Sequence, residues 1–268
     1  MSHSEVYQIS PETRLNVVSS GMQGPTLVFL HFWGGSSRTF STVTSILSAN
    51  HFSLAIDFRG WGASSGPDLA GAYSIEHLAI DIEVLLARLN IASFILIGHS
   101  MGGKVAQLIA GRGITKGIRG VVLVGPAPPT PLVIPAAMKE QQMTAYSSRE
   151  SAEFVIRNVL SSSPMSDNIV TTLVEDIMKG SQHATLAWPV YAMLEDISSK
   201  VKEINVPVLV LAGELDKLEP VERLQSEVLG NIKGAEMVIV EGSGHMLPFE
   251  APVEVAHHIA EFARKIYI

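Results

Sequence analysis

Three side chains spread over half the chain could together turn an alcohol into a nucleophile: Ser100, Asp216 and His245. Ser100 lies in Gly98-His99-Ser100-Met101-Gly102-Gly103, a match to G-x-S-x-G. In that pattern small residues let a tight backbone turn pass from strand to helix and leave the hydroxyl exposed at the strand's carboxyl end. A serine hydroxyl attacks a carbonyl only when a base takes its proton, and the base needs a third group to fix its tautomer and balance its charge. Downstream, Gly213-Glu214-Leu215-Asp216 offers a carboxylate and Gly242-Ser243-Gly244-His245 an imidazole on a glycine-flanked loop. The helix beginning at Met101 points free amides and a positive dipole end at the place where an oxyanion would form.

The surrounding elements decide whether these groups meet. Phe94 to Ile97 is an apolar, β-branched run that stops at Gly98, and an apolar pattern of helical spacing follows Ser100. Thr26–Leu30, Phe52–Ile56, Gly120–Gly125, Val206–Ala212 and Glu236–Val240 also read as strands. Their nearly continuous apolar character suits strands covered on both faces. Helices are expected from about Arg38 to Ala49, after an N-cap at Ser74, from Glu219 to Leu229 and from Val253 to Ile266. Glu5–Ile9 and Leu15–Ser19 suit an antiparallel pair at a sheet edge. The alternation predicts an α/β fold with a mostly parallel, eight-stranded sheet flanked by helices. In such a sheet the strand ends preceding Ser100, Asp216 and His245 share one edge.

About eighty residues separate the strand at Gly120 from that at Val206, too long for a loop. Pro126, Pro128, Pro129, Pro131 and Pro135 crowd the entrance, and Ser161-Ser162-Ser163-Pro164 interrupts the middle. The expectation is an inserted helical cap over residues 127–204, with residues 1–126 and 205–268 forming the core domain.

Composition sets limits. With 47% hydrophobic and 17% charged residues, the 268-residue chain carries enough apolar surface for a large core. It has no cysteine, which removes disulfides, thiolate metal sites and cysteine nucleophiles. A net charge of −7 without a basic block argues against nucleic acid or an anionic membrane surface as partner. The amino terminus lacks a signal-peptide pattern and no apolar run is long enough to span a membrane, so a cytoplasmic location is expected.

The joint occurrence of these motifs resembles the α/β-hydrolase superfamily, specifically its capped serine esterase and non-heme haloperoxidase-like branch. The matching segments are His31 and its loop, Asp57-Phe58-Arg59-Gly60-Trp61-Gly62-Ala63-Ser64, Gly98 to Gly103, Gly213 to Asp216 and Gly242 to His245, in family order. The resemblance implies an acyl-enzyme on Ser100, no cofactor and no metal. Serine at the elbow sets the chain apart from dehalogenase and epoxide-hydrolase relatives, which carry aspartate there. Some relatives take the acid from the end of the preceding strand, but Gly125-Pro126-Ala127-Pro128 has no carboxylate, which favours Asp216. The family's oxyanion loop usually reads His-Gly, whereas Phe32 follows His31 here. By register Trp33 and Met101 supply the oxyanion amides, with Phe32 or Gly34 as alternatives to Trp33.

Candidate lining residues for an apolar substrate pocket are Phe32, His99, Trp188, Tyr191 and Met246, with Met138, Met143, Met165, Met178 and Met193 of the cap as further contributors. His31 and His99 are expected to orient loops. Asp57 and Arg59 read as a structural charge pair, His77 and Asp81 as a solvated pair on one helix face, and His257 with His258 as a poor metal pair. The functional expectation is a serine hydrolase acting on a small-molecule ester, lactone or thioester. The alternatives are acyl transfer, perhydrolysis or C–C bond hydrolysis by the same three groups, lyase chemistry, or a weakly catalytic ligand receptor on this fold.

Overall fold

The computed structural model describes residues 2–267. Eight strands form one sheet: β1 (His3–Ser10), β2 (Thr13–Ser20), β3 (Thr26–Leu30), β4 (Phe52–Ile56), β5 (Phe94–His99), β6 (Ile118–Val124), β7 (Val208–Gly213) and β8 (Glu236–Val240). Their order across the sheet is β1-β2-β4-β3-β5-β6-β7-β8. The first two strands are antiparallel to each other, β2 runs antiparallel to β4, and every other pairing is parallel.

Side chains alternate across a strand, so each apolar run feeds two cores. Leu27, Phe29, Ile95, Ile97, Val122, Val124, Leu209 and Leu211 pack against α1 (Ser41–Leu47) and α11 (Pro252–Ile266). Val28, Leu30, Phe94, Leu96, Val121, Leu123, Val208 and Val210 face α2 (Ile75–Leu89) and α3 (Met101–Arg112). Helices on both faces explain why β5 and β7 are buried along their whole length. Ser74 caps α2 as expected, accepting the His77 amide at 3.0 Å.

Between β6 and β7 the chain forms α4 (Ala136–Thr144), α5 (Arg149–Val155), α6 (Asp167–Met178), α7 (Gln182–Val190) and α8 (Ser198–Val201). Apolar residues of this excursion, among them Val170, Leu173, Ile177 and Trp188, join the core on the α2–α3 side. A buried polar strap adds to the join. Asp176 of α6 accepts hydrogen bonds from Ser36 Oγ (2.8 Å) and from Arg38 Nε (3.0 Å). Two short helices complete the chain, α9 (Val221–Arg223) and α10 (Leu247–Glu250). Among the described residues no helix is long and apolar enough to cross a membrane.

Three expectations need correction. The helix expected from Glu219 starts only at Val221, because Pro220 keeps an extended ψ of 150°. Its later turns, Leu224–Leu229, widen to five-residue hydrogen bonding. Asp57 and Arg59 do not pair. Arg59 forks onto Asp81 through two 2.5 Å hydrogen bonds. Asp57 instead accepts the Ser37 amide (2.5 Å), the Ala63 amide (2.9 Å) and Asn16 Nδ2 (2.9 Å). Asp81 is therefore buried rather than solvated, and His77 turns its Nδ1 to Ser74 Oγ at 2.7 Å. Burial raises the Asp81 carboxyl above its ordinary range, and the Arg59 fork offsets this only in part.

Candidate active site

Ser100 sits at the turn between β5 and α3 with φ 52° and ψ −116°, a left-handed backbone that few non-glycine residues adopt. The neighbouring elements over-determine the turn. The Ser100 amide donates to Val124 O (3.1 Å) and its carbonyl accepts the Ala127 amide (3.0 Å), so the end of β6 holds the elbow from both sides. A Cβ at Gly98 would stand 2.3 Å from Gly102 O, and one at Gly102 would stand 2.4 Å from Leu30 O. Glycine is required at both positions by close backbone approach.

Asp216 follows the end of β7 and His245 the end of β8, two strands paired up to Gly213 and Val240. His245 Nε2 lies 3.0 Å from Ser100 Oγ, and His245 Nδ1 lies 2.8 Å from Asp216 Oδ2. The second Asp216 oxygen accepts the amides of Leu218 (2.9 Å) and Glu219 (3.0 Å). Burial alone would push this carboxyl up, but the His245 charge, their shared hydrogen bond and the two amides hold it below its ordinary value. For His245 burial works downward, and the Asp216 carboxylate overcomes it and raises the imidazole. With Nδ1–H donated to Asp216, Nε2 can accept the Ser100 proton, and the resulting imidazolium faces a carboxylate.

The two other histidines near the site are neutral supports. Burial pushes His99 down to about 3, and its Nε2 donates to His245 O at 2.8 Å, fixing the loop that carries the imidazole. His31, lowered by burial, lies with Nδ1 2.7 Å from Phe32 O and accepts the Phe58 amide on Nε2 at 3.0 Å. The loop after His31 closes as a turn, with the Gly35 amide donating to Phe32 O (2.9 Å). Trp33 is anchored at three points. Its indole Nε1 donates to Thr185 O (3.0 Å), its carbonyl accepts the Tyr146 hydroxyl (3.1 Å), and its ring stacks on Tyr146 at 4.1 Å.

A cavity of about 390 Å³ opens above Ser100 and His245. Phe32, Met138 and Trp188 line it, as the sequence suggested, together with Trp33, Leu132, Ile134 and Leu160. Seven residues expected in its wall lie elsewhere, among them Met143, Met165 and Met178 of the cap. His99 is sealed beneath the imidazole loop, and Met246 is fully buried in the core. Tyr191 turns its hydroxyl to Ala70 O (2.7 Å) and the Tyr73 amide (3.1 Å), tying α7 to the start of α2. Met193 is also buried, in the core packing.

Several buried polar residues that the sequence did not single out lie in or around the site. Glu250 of α10 accepts the Met246 (3.0 Å) and Gly244 (3.2 Å) amides on one oxygen. Its other oxygen takes the Ser162 amide and hydroxyl, both at 2.8 Å, and the Ser163 amide at 3.1 Å. Lys104, fully buried one turn after the elbow, donates to Thr130 O (3.0 Å) and Met193 O (3.4 Å), and burial pushes it down to about 8. Glu219 lines the cavity, and burial pushes it up to about 8. No sequence pattern marked these contacts, several of which join segments distant along the chain.

Solved structures repeat this architecture. An esterase from Exiguobacterium antarcticum superposes with a TM-score of 0.89 at 21% identity, covering 98% of this chain and 100% of that one. A bromoperoxidase from Bacillus anthracis gives 0.87 at 20% identity over 98% and 100%. The α/β-hydrolase fold is thus established. The family model described as "Alpha/beta hydrolase family" matches residues 27–258, and the chain belongs to that family. Sequence relatives include a putative non-heme chloroperoxidase of Synechocystis sp., 27% identical over 84% of this chain and 86% of that protein. A 3-oxoadipate enol-lactonase of Acinetobacter baylyi is 25% identical over 92% of each chain.

Proposed function

We propose that the protein is a serine hydrolase that cleaves an ester, lactone or thioester of a small, largely apolar molecule through an acyl-enzyme on Ser100. One observation carries this reading: the unbroken hydrogen-bonded path from Ser100 through His245 to Asp216, opening into the cavity under α4. Ser100 Oγ attacks the carbonyl as its proton passes to His245 Nε2. His245 then returns that proton to the leaving alcohol or thiol, and water, activated by the same imidazole, releases the acid. Trp33 and Met101 supply the oxyanion amides. The Met101 amide heads α3 and has no partner within the helix. The anchors on Trp33, at its indole, its carbonyl and its ring, spare its own amide. The helices over residues 127–204 act as the cap that keeps bulk water from the apolar part of the substrate.

Relatives named as esterase and enol-lactonase support this reading. Those named as chloroperoxidases favour a second one, in which hydrogen peroxide takes the place of water and the acyl-enzyme releases a peracid. Mass spectrometry after fluorophosphonate treatment should find the adduct on Ser100. Ser100→Ala should abolish both labelling and turnover of short p-nitrophenyl esters, and labelling that persists in Ser100→Ala would sink the assignment.

A further inference from the structure

The loop that carries Trp33 follows β3, yet all three anchors on Trp33 come from the excursion between β6 and β7. Thr185 O lies in α7, and Tyr146, which supplies both the hydroxyl and the stacked ring, lies just after α4. The loop is shaped for this partner. A Cβ at Gly34 would stand 2.7 Å from Tyr146 Cε2, and Gly34 has a left-handed φ of 96°. Tyr146 is buried, and burial pushes its phenol above its ordinary value, so the hydroxyl remains a donor in alkaline solution. The core holds the other side of the loop, where Phe32 O accepts the Gly35 amide (2.9 Å) and His31 Nδ1–H (2.7 Å). These two bonds fix the plane of the peptide whose N–H belongs to Trp33, because the carbonyl and N–H of a trans peptide share one plane. The Tyr146 hydroxyl fixes the next peptide plane, at Trp33 O (3.1 Å). The same loop lies against the nucleophile elbow, since a Cβ at Gly102 would stand 2.4 Å from Leu30 O and 2.5 Å from His31 O.

We propose that Tyr146 is a positioning residue for the oxyanion hole, bracing Trp33 so that its amide stays aimed at the carbonyl oxygen of a substrate on Ser100. The inference rests on the serine-hydrolase reading and adds that the oxyanion site is completed by the helical excursion rather than by the sheet edge alone. A donor that stabilises an oxyanion acts through its fixed direction, and an error in aim weakens the transition state more than the bound ester. Loss of the brace therefore lowers kcat and spares KM, whereas loss of a cavity wall raises KM.

The test measures kcat and KM for p-nitrophenyl butyrate, inhibition by butylboronic acid and the completeness of fluorophosphonate labelling of Ser100 in the wild type, Tyr146→Phe and Trp33→Phe. A boronic acid adds to the serine oxygen and places a hydroxyl where the oxyanion would sit, so its affinity reads the hole directly. Tyr146→Phe keeps the stacked ring and loses only the hydroxyl. Its kcat should fall about tenfold and its boronate affinity by a similar factor, with KM changed less than about twofold and labelling still complete. Trp33→Phe, which keeps the backbone amide and loses the indole bond to Thr185 O, should give the same signature. Wild-type kcat and boronate affinity in Tyr146→Phe, or a raised KM with kcat unchanged, overturns the brace alone. A lowered kcat with boronate affinity unchanged does so too. A wild type that neither turns over the ester nor labels at Ser100 overturns the serine-hydrolase reading and the brace with it.

Discussion

The floor and the roof of the cavity are built on different principles. The floor is the carboxyl edge of a parallel sheet, where Ser100, Asp216 and His245 are each fixed by backbone hydrogen bonds from adjoining strands and loops. Part of the roof is α4, a nine-residue helix with no buried residue, which contributes Met138, Gln141 and Gln142. Position in the floor is specified by many donors per side chain, while α4 is held by few. The difference teaches where precision is concentrated: on groups that would touch reacting atoms, and not on those that shape the space around them.

Removing a floor group should therefore have the largest effect. Asp216→Asn keeps an acceptor for the Leu218 and Glu219 amides but takes away the carboxylate that orients His245 and balances its charge. A loss of about 10⁴ in kcat is expected. The pH profile should move as well. Asp216 raises His245, so without it the imidazole loses its proton at lower pH and the acid limb of kcat/KM shifts downward. An unshifted acid limb would mean that another group is being titrated.

The same contrast governs what could be read from the sequence. Thr26–Leu30, Phe52–Ile56 and Glu236–Val240 have the strand limits that their apolar runs announced: the first two are buried after their first residue, and β8, at the sheet edge, still carries Met237 to Val240 as an unbroken apolar run. The edge pair, β1 and β2, was legible from Pro11 and the glycines after Ser20. Ser100, Asp216 and His245 carry local signatures at strand ends, and the structure brings these side chains within hydrogen-bond reach of one another. Side-chain partners chosen by three-dimensional packing left no such mark. Arg59 finds Asp81 rather than Asp57 because three N–H donors already occupy the Asp57 oxygens. Tyr191 lies one turn from Trp188 yet points to Ala70, since Tyr191 ends α7 with a non-helical φ of −145°.

Glu250 spans the two regions, and altering it should have an intermediate effect. One oxygen holds the amides on either side of His245, and the other holds the Ser161–Ser163 break. Glu250→Gln replaces an acceptor by an amide group that cannot receive N–H donors, so one of the two segments must let go. Displacing the imidazole by a fraction of an ångström should lower kcat on the order of tenfold. KM should change less, because the apolar wall is untouched. Rescue by Glu250→Asp is not expected, since the shorter chain cannot reach both segments. A kcat equal to that of the wild type would show that the His245 loop is held by its other contacts, His99 to His245 O and the Leu215 amide to Ser243 O, without Glu250.

The smallest effect should come from α4 itself. Met138 is half open to solvent, 48% exposed, and meets the cavity from a helix with no fully buried residue. Met138→Ala removes apolar contact with bound substrate without creating a closed void, because the helix can settle and solvent already reaches the site. At about 25 cal/mol per Å² and with only part of the side chain shielded by a ligand, the change should raise KM for a butyl ester about threefold and leave kcat unaltered. A fall in kcat comparable to that of Glu250→Gln would place the roof among the precisely held parts and break the contrast, whereas a pure KM effect sharpens it.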